Sequence, residues 1–247
     1  MIKLAVTGAQ GRMGQSITQL ALDHKDSFGF DLRVLLESPN RTDLAKELHG
    51  IKVSTNLDSL QECDVLIDFT IPDATRRNIE ACVKYNVGMV IGTTGLQALD
   101  IDCIKQASLR VPIVFSSNMS LGVNVFFSLI EQVAKTIGGG IKKITIDETH
   151  HVHKKDSPSG TAKTMREYAE EGSGVRIADA DMKSHRIGEV IGNHTIVFET
   201  LVDTITITHH AKTRDMFAIG SLMAAQWLVK QNKRNGLYNM KDVFGLK

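Results

Sequence analysis

Ile2-Lys3-Leu4-Ala5-Val6-Thr7-Gly8-Ala9-Gln10-Gly11-Arg12-Met13-Gly14 begins as a short apolar run and ends in a turn whose every third residue is glycine. Gln15–Leu22 then has helical spacing. Strand, glycine turn and helix in that order are the setting of a dinucleotide site. The glycines admit a pyrophosphate close to the backbone, and the helix N-terminus receives its charge. The spacing is G-x-x-G-x-x-G rather than the commoner G-x-G-x-x-G, so the turn is informative only together with the strands and helices beyond it.

Strands and helices then alternate. Asp31–Leu36 reads as a second strand ending at Glu37, where an acid can accept hydrogen bonds from an adenosine ribose. Taken alone, Glu37 reads equally as a surface acid; behind a glycine turn it reads as part of a nucleotide site. Arg41–Gly50 resembles a short polar helix, Asp64–Thr70 a buried strand stopped by Pro72, and Thr75–Tyr85 a helix. Val87–Ile91 is a strand opening into Gly92-Thr93-Thr94-Gly95, which is either a tight turn or a cofactor contact. Ala98–Leu109 is helical, and the strand Val111–Phe115 leaves through Ser116-Ser117-Asn118-Met119. The pattern predicts an α/β fold on a doubly wound parallel sheet, whose ligands gather at the carboxyl ends of the strands.

Past Ser120-Leu121-Gly122 the pattern changes. A long apolar helix, Val123–Ile137, runs to Gly138-Gly139-Gly140, and Ile141–Thr149 alternates as a strand. After a helix at Ala162–Glu171, the segments Arg186–Gly192, Thr195–Leu201 and Thr204–His209 read as strands. Strands so close in sequence predict a mixed or mostly antiparallel sheet, hence a second, smaller α+β domain over residues 122–213. Phe217–Lys230, an apolar helix with Trp227, is expected to return to the core of the first domain, residues 1–121 with 214–247.

Inside the second domain lies Glu148-Thr-His-His-Val-His-Lys-Lys-Asp-Ser-Pro-Ser-Gly-Thr-Ala162. His150 to Lys155 holds three histidines and two lysines, the densest group of titratable cations in the chain. Ser157-Pro158-Ser159-Gly160-Thr161 reads as a helix start, and the free N–H groups of a helix start make an anion site. Together they suggest a pocket for a carboxylate-bearing substrate, with His and Lys as proton donors. A solvated basic face and a metal site are the competing readings. His151 and His153 on a strand would point to opposite faces, which argues against chelation by that pair.

The 247 residues suffice for one large domain or two modest ones. A net charge of +1 gives no global attraction to nucleic acid or anionic membranes. No apolar run is long enough for a membrane span, and Ile2–Val6 leads into the glycine turn rather than a signal-peptide cleavage site. Cys63, Cys82 and Cys103 are widely spaced and odd in number, which suggests reduced thiols packed as small hydrophobes. A cytoplasmic protein with no nucleic-acid or membrane partner is expected.

The motifs quoted above, with Asp68-Phe69-Thr70, Ser117–Asn124 and Phe217-Ala218-Ile219-Gly220, resemble the 4-hydroxy-tetrahydrodipicolinate reductase (dihydrodipicolinate reductase) family nearly end to end. Glu148–Ala162 is the specific part of the match; the glycine turn is shared with many oxidoreductases. The resemblance implies a Rossmann domain closed by the C-terminal helix, a smaller sheet domain that builds a homotetramer, and NADH or NADPH as the hydride source. The substrate it implies is a small cyclic dicarboxylate of the diaminopimelate route to lysine. By position, His150 corresponds to the proton donor and acceptor, Lys154 to a second proton donor, and His151, Gly160 and Thr161 to substrate-binding residues. Gly8, Ala9, Gln10, Gly11, Arg12, Met13, Glu37, Gly92, Thr93, Thr94, Ser116, Ser117, Asn118 and Met119 correspond to cofactor-binding residues; no metal is expected. One departure stands out: many relatives place Arg directly after the ribose-binding acid, where this chain has Ser38. NADH, or both cofactors, is therefore expected rather than strict NADPH use.

Three other functions would need different residues. An aspartate-semialdehyde-type enzyme needs a nucleophilic Cys, yet Cys103 falls in a predicted helix and the others lie off the strand ends. A nicotinamide-sensing regulator has no need of His150, Lys154 and Ser159-Gly160-Thr161 together. A metal protein would draw on His150, His153, His209 and His210.

Overall fold

The computed structural model describes residues 1–230 and 234–246. In chain order it has β1 (Ile2–Thr7), α1 (Arg12–Asp23), α2 (Lys25–Phe28), β2 (Phe30–Leu36), β3 (Glu47–Leu48), β4 (Ile51–Ser54), β5 (Val65–Asp68), α3 (Pro72–Tyr85), β6 (Gly88–Ile91), α4 (Ala98–Ser108) and β7 (Pro112–Phe115). Then come α5 (Leu121–Ile137), β8 (Lys143–His150), α6 (Gly160–Ser173), β9 (Met182–Arg186), β10 (Asn193–Glu199) and β11 (Thr204–His210). The last elements are α7 (Asp215–Lys230), β12 (Gly236–Tyr238) and α8 (Met240–Phe244). They group into two compact units: Met1–Ser120 with Phe217–Gly245, and Leu121–Met216.

The first unit is built on a sheet in the order β12-β7-β6-β5-β1-β2-β4-β3. All neighbours run parallel except β3 and β4. In β1, Leu4, Ala5 and Val6 are wholly inaccessible, as befits a central parallel strand with both faces covered. Alternate residues serve opposite faces. Leu4 and Val6 join a core with Ile17 of α1 and Leu222 and Leu228 of α7. Ala5 joins a second core with Ile79 of α3 and Ile104 of α4. The chain leaves β1 for β2 on one side and returns for β5 on the other, so the ends of β1 and β5 border the point where the winding reverses. Crevices there are the usual ligand sites of such sheets.

Local sequence explains the helix ends. Pro72, read above as a strand stop, stands in the first turn of α3, where its missing N–H costs nothing. Asn86 ends that helix in the left-handed conformation at φ 56°. Gln97 and Asp100 form a capping box on α4.

Two predicted elements are corrected. Arg41–Gly50 is not a helix: it is turn and loop up to β3, and β3 and β4 then pair antiparallel around His49 and Gly50, at φ 52° and 79°. Leu44 and Leu48 have helical i, i+4 spacing, but only Leu48 packs against the core, from β3, while Leu44 stays exposed, so no helical face is buried to stabilise a short helix. Arg186–Gly192 is not a strand either. The strand β9 ends at Arg186, and Gly188 at φ 47° turns the chain away. Two small elements near the C-terminus, β12 and α8, had no sequence expectation.

The second unit has a mixed sheet in the order β11-β10-β8-β9, antiparallel except for β8 with β9. Helices α5 and α6 pack on one face. Phe126, Phe127 and Ile130 meet Ile144 and Ile146 of β8, Ile196 and Phe198 of β10, and Met165 of α6. Glu148 and His150 continue the inward row of β8, and His194 that of β10.

Candidate active site

In the first unit, the expected cofactor residues lie at the carboxyl ends of the strands. Gly8 adopts φ 68°, and a Cβ on Gly14 would stand 2.1 Å from the Gly8 carbonyl oxygen. Only glycine lets α1 start this close to β1. The N-cap of α1 is Gly11, with no side chain to occupy the first-turn N–H groups, so they remain open to an anion. This arrangement fits the pyrophosphate of a dinucleotide.

Glu37 is tied into the turn. Its Oε1 accepts the N–H of Gln10 at 2.8 Å and its Oε2 that of Ser38 at 3.0 Å. A carboxylate has further lone pairs with which to meet a ribose. The side chain of Gln10 reaches the other way, donating to the Asp43 carbonyl at 3.0 Å and accepting the N–H of Ala45 at 2.8 Å. Arg41 approaches Glu37 at 3.9 Å and donates to Asp43 at 3.1 Å.

Asp68 organises the neighbouring loops. Its buried carboxyl accepts from the Thr70 N–H and hydroxyl at 3.0 and 2.6 Å, from Asn78 at 3.1 Å and from Thr93 at 3.2 Å. Burial raises its pKa above the usual carboxylate range, and these donors offset part of that rise. A Cβ on Gly92 would sit 2.3 Å from the Phe69 ring, so this loop too requires glycine. Thr94 and Ser117 are exposed, whereas Ala9, Thr93 and Met119 are buried. Ala9 and Met119 pack into the core, so a ligand can meet them only through their backbone. Ser116 and Asn118 lock their loop: Ser116 Oγ donates to the Asn118 carbonyl at 2.9 Å and accepts the Asn118 N–H at 3.2 Å.

The cationic stretch lies in the second unit. Strand β8 ends at His150, so His151, Val152 and His153 are not on a strand, and the opposite-face argument for them falls away. His153 turns outward to Glu189 at 3.6 Å with a largely exposed side chain, and Lys155 is exposed. The inward members are His150, His151 and Lys154. His150 Nδ1 lies 2.5 Å from Glu148 Oε2. Glu148 Oε1 accepts the N–H of Ser159 and the Nη2 group of Arg186, both at 3.1 Å. Burial alone would raise the Glu148 pKa, but hydrogen bonds from His150, Ser184 and Ser159 outweigh it and hold the carboxyl well below its usual range. An ionised carboxylate can only accept, so Nδ1 carries the proton of this pair and Nε2 is the nitrogen free to exchange one.

Lys154 Nζ pairs with Asp156 Oδ1 at 2.8 Å. Burial of Asp156 is more than offset by Lys154 and by the N–H of Gly160, so this carboxyl too is held below its usual range. The loop is clamped by Arg186, which donates to the carbonyls of Lys154 and Asp156. Ser159 caps α6 by accepting the N–H of Ala162 at 3.1 Å, which places Gly160 and Thr161 in the first turn. His151 Nε2 lies 3.1 Å from Arg214 Nη2. Arginine can only donate, so this nitrogen accepts; burial and the Arg214 charge both lower the His151 pKa.

Sequence reasoning assigned no role to Glu148, Asp156, His194 or Arg214. His194 is buried beside His150, with ring centroids 5.0 Å apart. Its parity with Ile196 and Phe198 was the available signal. The four histidines considered for a metal do not converge: His153 faces out, and His209 and His210 alternate across β11. Among the described residues, the donors that do converge are Glu148, His150 and His194, within 4.8 Å of one another. Glu148 and His150 stand as a close ion pair at 2.5 Å.

Comparison with known proteins gives the family. Residues 2–119 match the family described as Dihydrodipicolinate reductase, N-terminus, and residues 122–244 match Dihydrodipicolinate reductase, C-terminus. The 4-hydroxy-tetrahydrodipicolinate reductases of Syntrophotalea carbinolica and Geotalea daltonii are each 39% identical, over 100% of both chains. A dipicolinate-bound dihydrodipicolinate reductase from a Paenisporosarcina species shares the fold with a TM-score of 0.79 at 23% identity, over 97% of each chain. An amine dehydrogenase from Mycobacterium smegmatis shares it more loosely, with a TM-score of 0.59 at 10% identity over 92% of each chain. With both halves matched and its whole length shared with named reductases, the chain belongs to the dihydrodipicolinate reductase family of NAD(P)H-dependent oxidoreductases.

Proposed function

We propose that the chain reduces 4-hydroxy-tetrahydrodipicolinate to tetrahydrodipicolinate, with loss of water, in the diaminopimelate route of lysine biosynthesis. The observation that carries the reading is the Glu148–His150 pair, on the same short stretch as Lys154 and the first turn of α6. A bound nicotinamide, NADH or NADPH, supplies the hydride. The chain's own residues bind the dicarboxylate and deliver a proton.

Glu148 fixes the proton of His150 on Nδ1, which leaves Nε2 as the exchanging atom. The 4-hydroxyl leaves as water with a hydrogen of the adjacent ring carbon, giving a C=C conjugated to the C=N. When hydride reaches the far carbon of that system, the electron pair pushed onto nitrogen takes the proton from Nε2, and the N–H electrons return to the imidazole as a lone pair. Lys154 is the second donor and is held in place by Asp156. The N–H groups of Gly160 and Thr161, with His151 and Arg214, suit the two carboxylates. A substrate carboxylate would replace Asp156 as the partner of Lys154 and Gly160. In the other unit, Gly8–Met13, Glu37, Gly92–Thr94 and Ser116–Met119 hold the dinucleotide. Arg41, beside Glu37, suits a 2′-phosphate, in keeping with use of both cofactors. Residues 1–121 with 214–247 thus form the cofactor domain, and residues 122–213 form the substrate and assembly domain.

The assembly we infer is a homotetramer. Helices α5 and α6 pack on one face of the four-stranded sheet; on the other, Thr145, Asp147, Thr195 and Val197 are half-exposed and Thr206 and Thr208 exposed. Leu201 and Val202, at the β10–β11 hairpin, are 84% and 87% exposed. An edge strand and an apolar hairpin tip suit burial against a second copy. A cytoplasmic setting is in keeping with three free thiols and with a Cys63 pKa pushed up to about 12 by burial.

The test is to follow NADH and NADPH oxidation with the coupled product of dihydrodipicolinate synthase as substrate. Turnover inhibited competitively by dipicolinate is expected. No turnover with either cofactor would overturn the reading.

A further inference from the structure

The proton on His150 can leave only where its Nε2 meets open space, and the backbone of Gly192 borders that atom. Strand pairing sets Asn193 opposite Thr149 and His194 opposite Glu148, so Gly192 comes level with His150. A Cβ at Gly192 would stand 3.0 Å from His150 Nε2 and 3.4 Å from His194 Cε1. Gly192 has no need of glycine for its backbone: its φ lies outside the left-handed region, and its carbonyl accepts the N–H of Ala211 at 2.9 Å just beyond the paired ends of β10 and β11. What its missing side chain provides is room beside Nε2.

His150 cannot yield that room by shifting. Glu148 holds Nδ1 at 2.5 Å, and the His194 ring stands against it edge-on, with an interplanar angle of 73°. His194 is 4% exposed, and neither of its ring nitrogens has a hydrogen-bond partner. Burial, with the nearby His150 cation adding to it, keeps His194 neutral down to about 3. It can therefore serve as a wall but does not compete for the proton.

We propose that Gly192 is a positioning residue for the reduction: its bare backbone, with the His194 ring as the opposite wall, is the slot through which Nε2 of His150 reaches the substrate nitrogen. This rests on the reading of His150 as the proton donor. The transfer breaks the Nε2–H bond and forms an N–H bond on the substrate. The electron pair for the new bond comes from the hydride reduction, and the pair of the broken bond stays on Nε2.

The experiment compares Gly192→Ala, His150→Gln and the double variant by steady-state kinetics on the full chain. Gly192→Ala should lower kcat at least about tenfold, within the range of a mispositioned proton donor, and leave KM for the cofactor unchanged. In the His150→Gln background the same change should have no further effect on kcat. A Gly192→Ala kcat within about twofold of the parent overturns the proposal, and so does an equal loss in both backgrounds. If His150→Gln itself keeps kcat, the proton-donor reading fails instead, and the slot with it. His194→Asn gives the ring somewhere to retreat, so adding Gly192→Ala to it should change kcat less than about threefold. A further tenfold loss there overturns the proposal, and this pair also decides the matter if Gly192→Ala alone does not fold.

Discussion

Glu37 accepts the backbone N–H of Gln10 at 2.8 Å, so the acid at the end of β2 holds the glycine turn at the end of β1. Its substitution therefore has two effects, a lost ribose acceptor and a loosened turn. Glu37→Ala is expected to weaken NADH binding by about 1.5–3 kcal/mol, the scale of a charge-assisted hydrogen bond. NADPH should lose less, because its 2′-phosphate is repelled by the carboxylate. Fluorescence titration with each cofactor checks this, and Glu37→Gln, which keeps an acceptor for Gln10, separates the two effects. Equal losses for both cofactors would remove Glu37 from the ribose site.

The cationic stretch divides by role. His150→Gln and Lys154→Ala should each lower kcat at least about a hundredfold, the low end for loss of a general acid. Acting on one proton path, the two together should cost much less than the product of the singles. His151→Gln, beside Arg214, should mainly raise KM. If His150→Gln and Lys154→Ala raise KM and leave kcat intact, the whole stretch is a substrate anchor.

Gly220 is where α7 touches the chain at Met119. An added Cβ would stand 1.8 Å from the Met119 carbonyl oxygen, a backbone atom that cannot step aside. Gly220→Ala should destabilise the protein by about 3 kcal/mol or more, at or above the usual range for overpacking. Gly139→Ala, with nothing within 4 Å of the new Cβ, is the matched control. Urea midpoints that shift equally for both would show that the contact is not real.

Acid stability should depend on His194. Burial lowers its pKa from 6.5 to about 3 in the folded protein. Between those values the unfolded chain binds a proton that the folded one refuses. Stability from this group is therefore complete above about 6.5 and falls as the pH drops towards about 3. Glu148, with its depressed pKa, adds acid sensitivity at lower pH still. His194→Asn should flatten the fall in melting temperature between about pH 7 and about pH 5. An unchanged slope would mean that His194 titrates normally.

The parts of this protein that could be read in the sequence depend on neighbouring residues. The strand, glycine turn and helix of Ile2–Leu22 follow from glycine's tolerance of close backbone approach, and the order of strands and helices follows from hydrophobic period. His150, Lys154 and Ser159-Gly160-Thr161 could be grouped because they lie in one short stretch. Arg41–Gly50 failed because the helical spacing of Leu44 and Leu48 does not reveal that His49 and Gly50 turn the chain into a hairpin. Arg186–Gly192 failed because Gly188 ends a strand that β-propensity alone would extend. Arg214 reaches His151 across 63 residues, and His194 faces Glu148 only through the pairing of β8 with β10. Contacts of that kind belong to the folded chain and leave no local trace.

The elements that complete the first unit are separated in the chain from the rest of it. Leu222 and Leu228 of α7 cover Leu4 and Val6, and β12 extends the sheet beside β7, yet both come after the whole second unit in the chain. On the ribosome, one sheet face of the first 120 residues therefore has α1 but not yet α7 to cover it while Leu121–Met216 emerges. A nascent chain that stalls before Phe217 presents an apolar surface of the kind chaperones and proteases recognise. Synthesis of α7 and β12 thus becomes the step that finishes burying the nucleotide half.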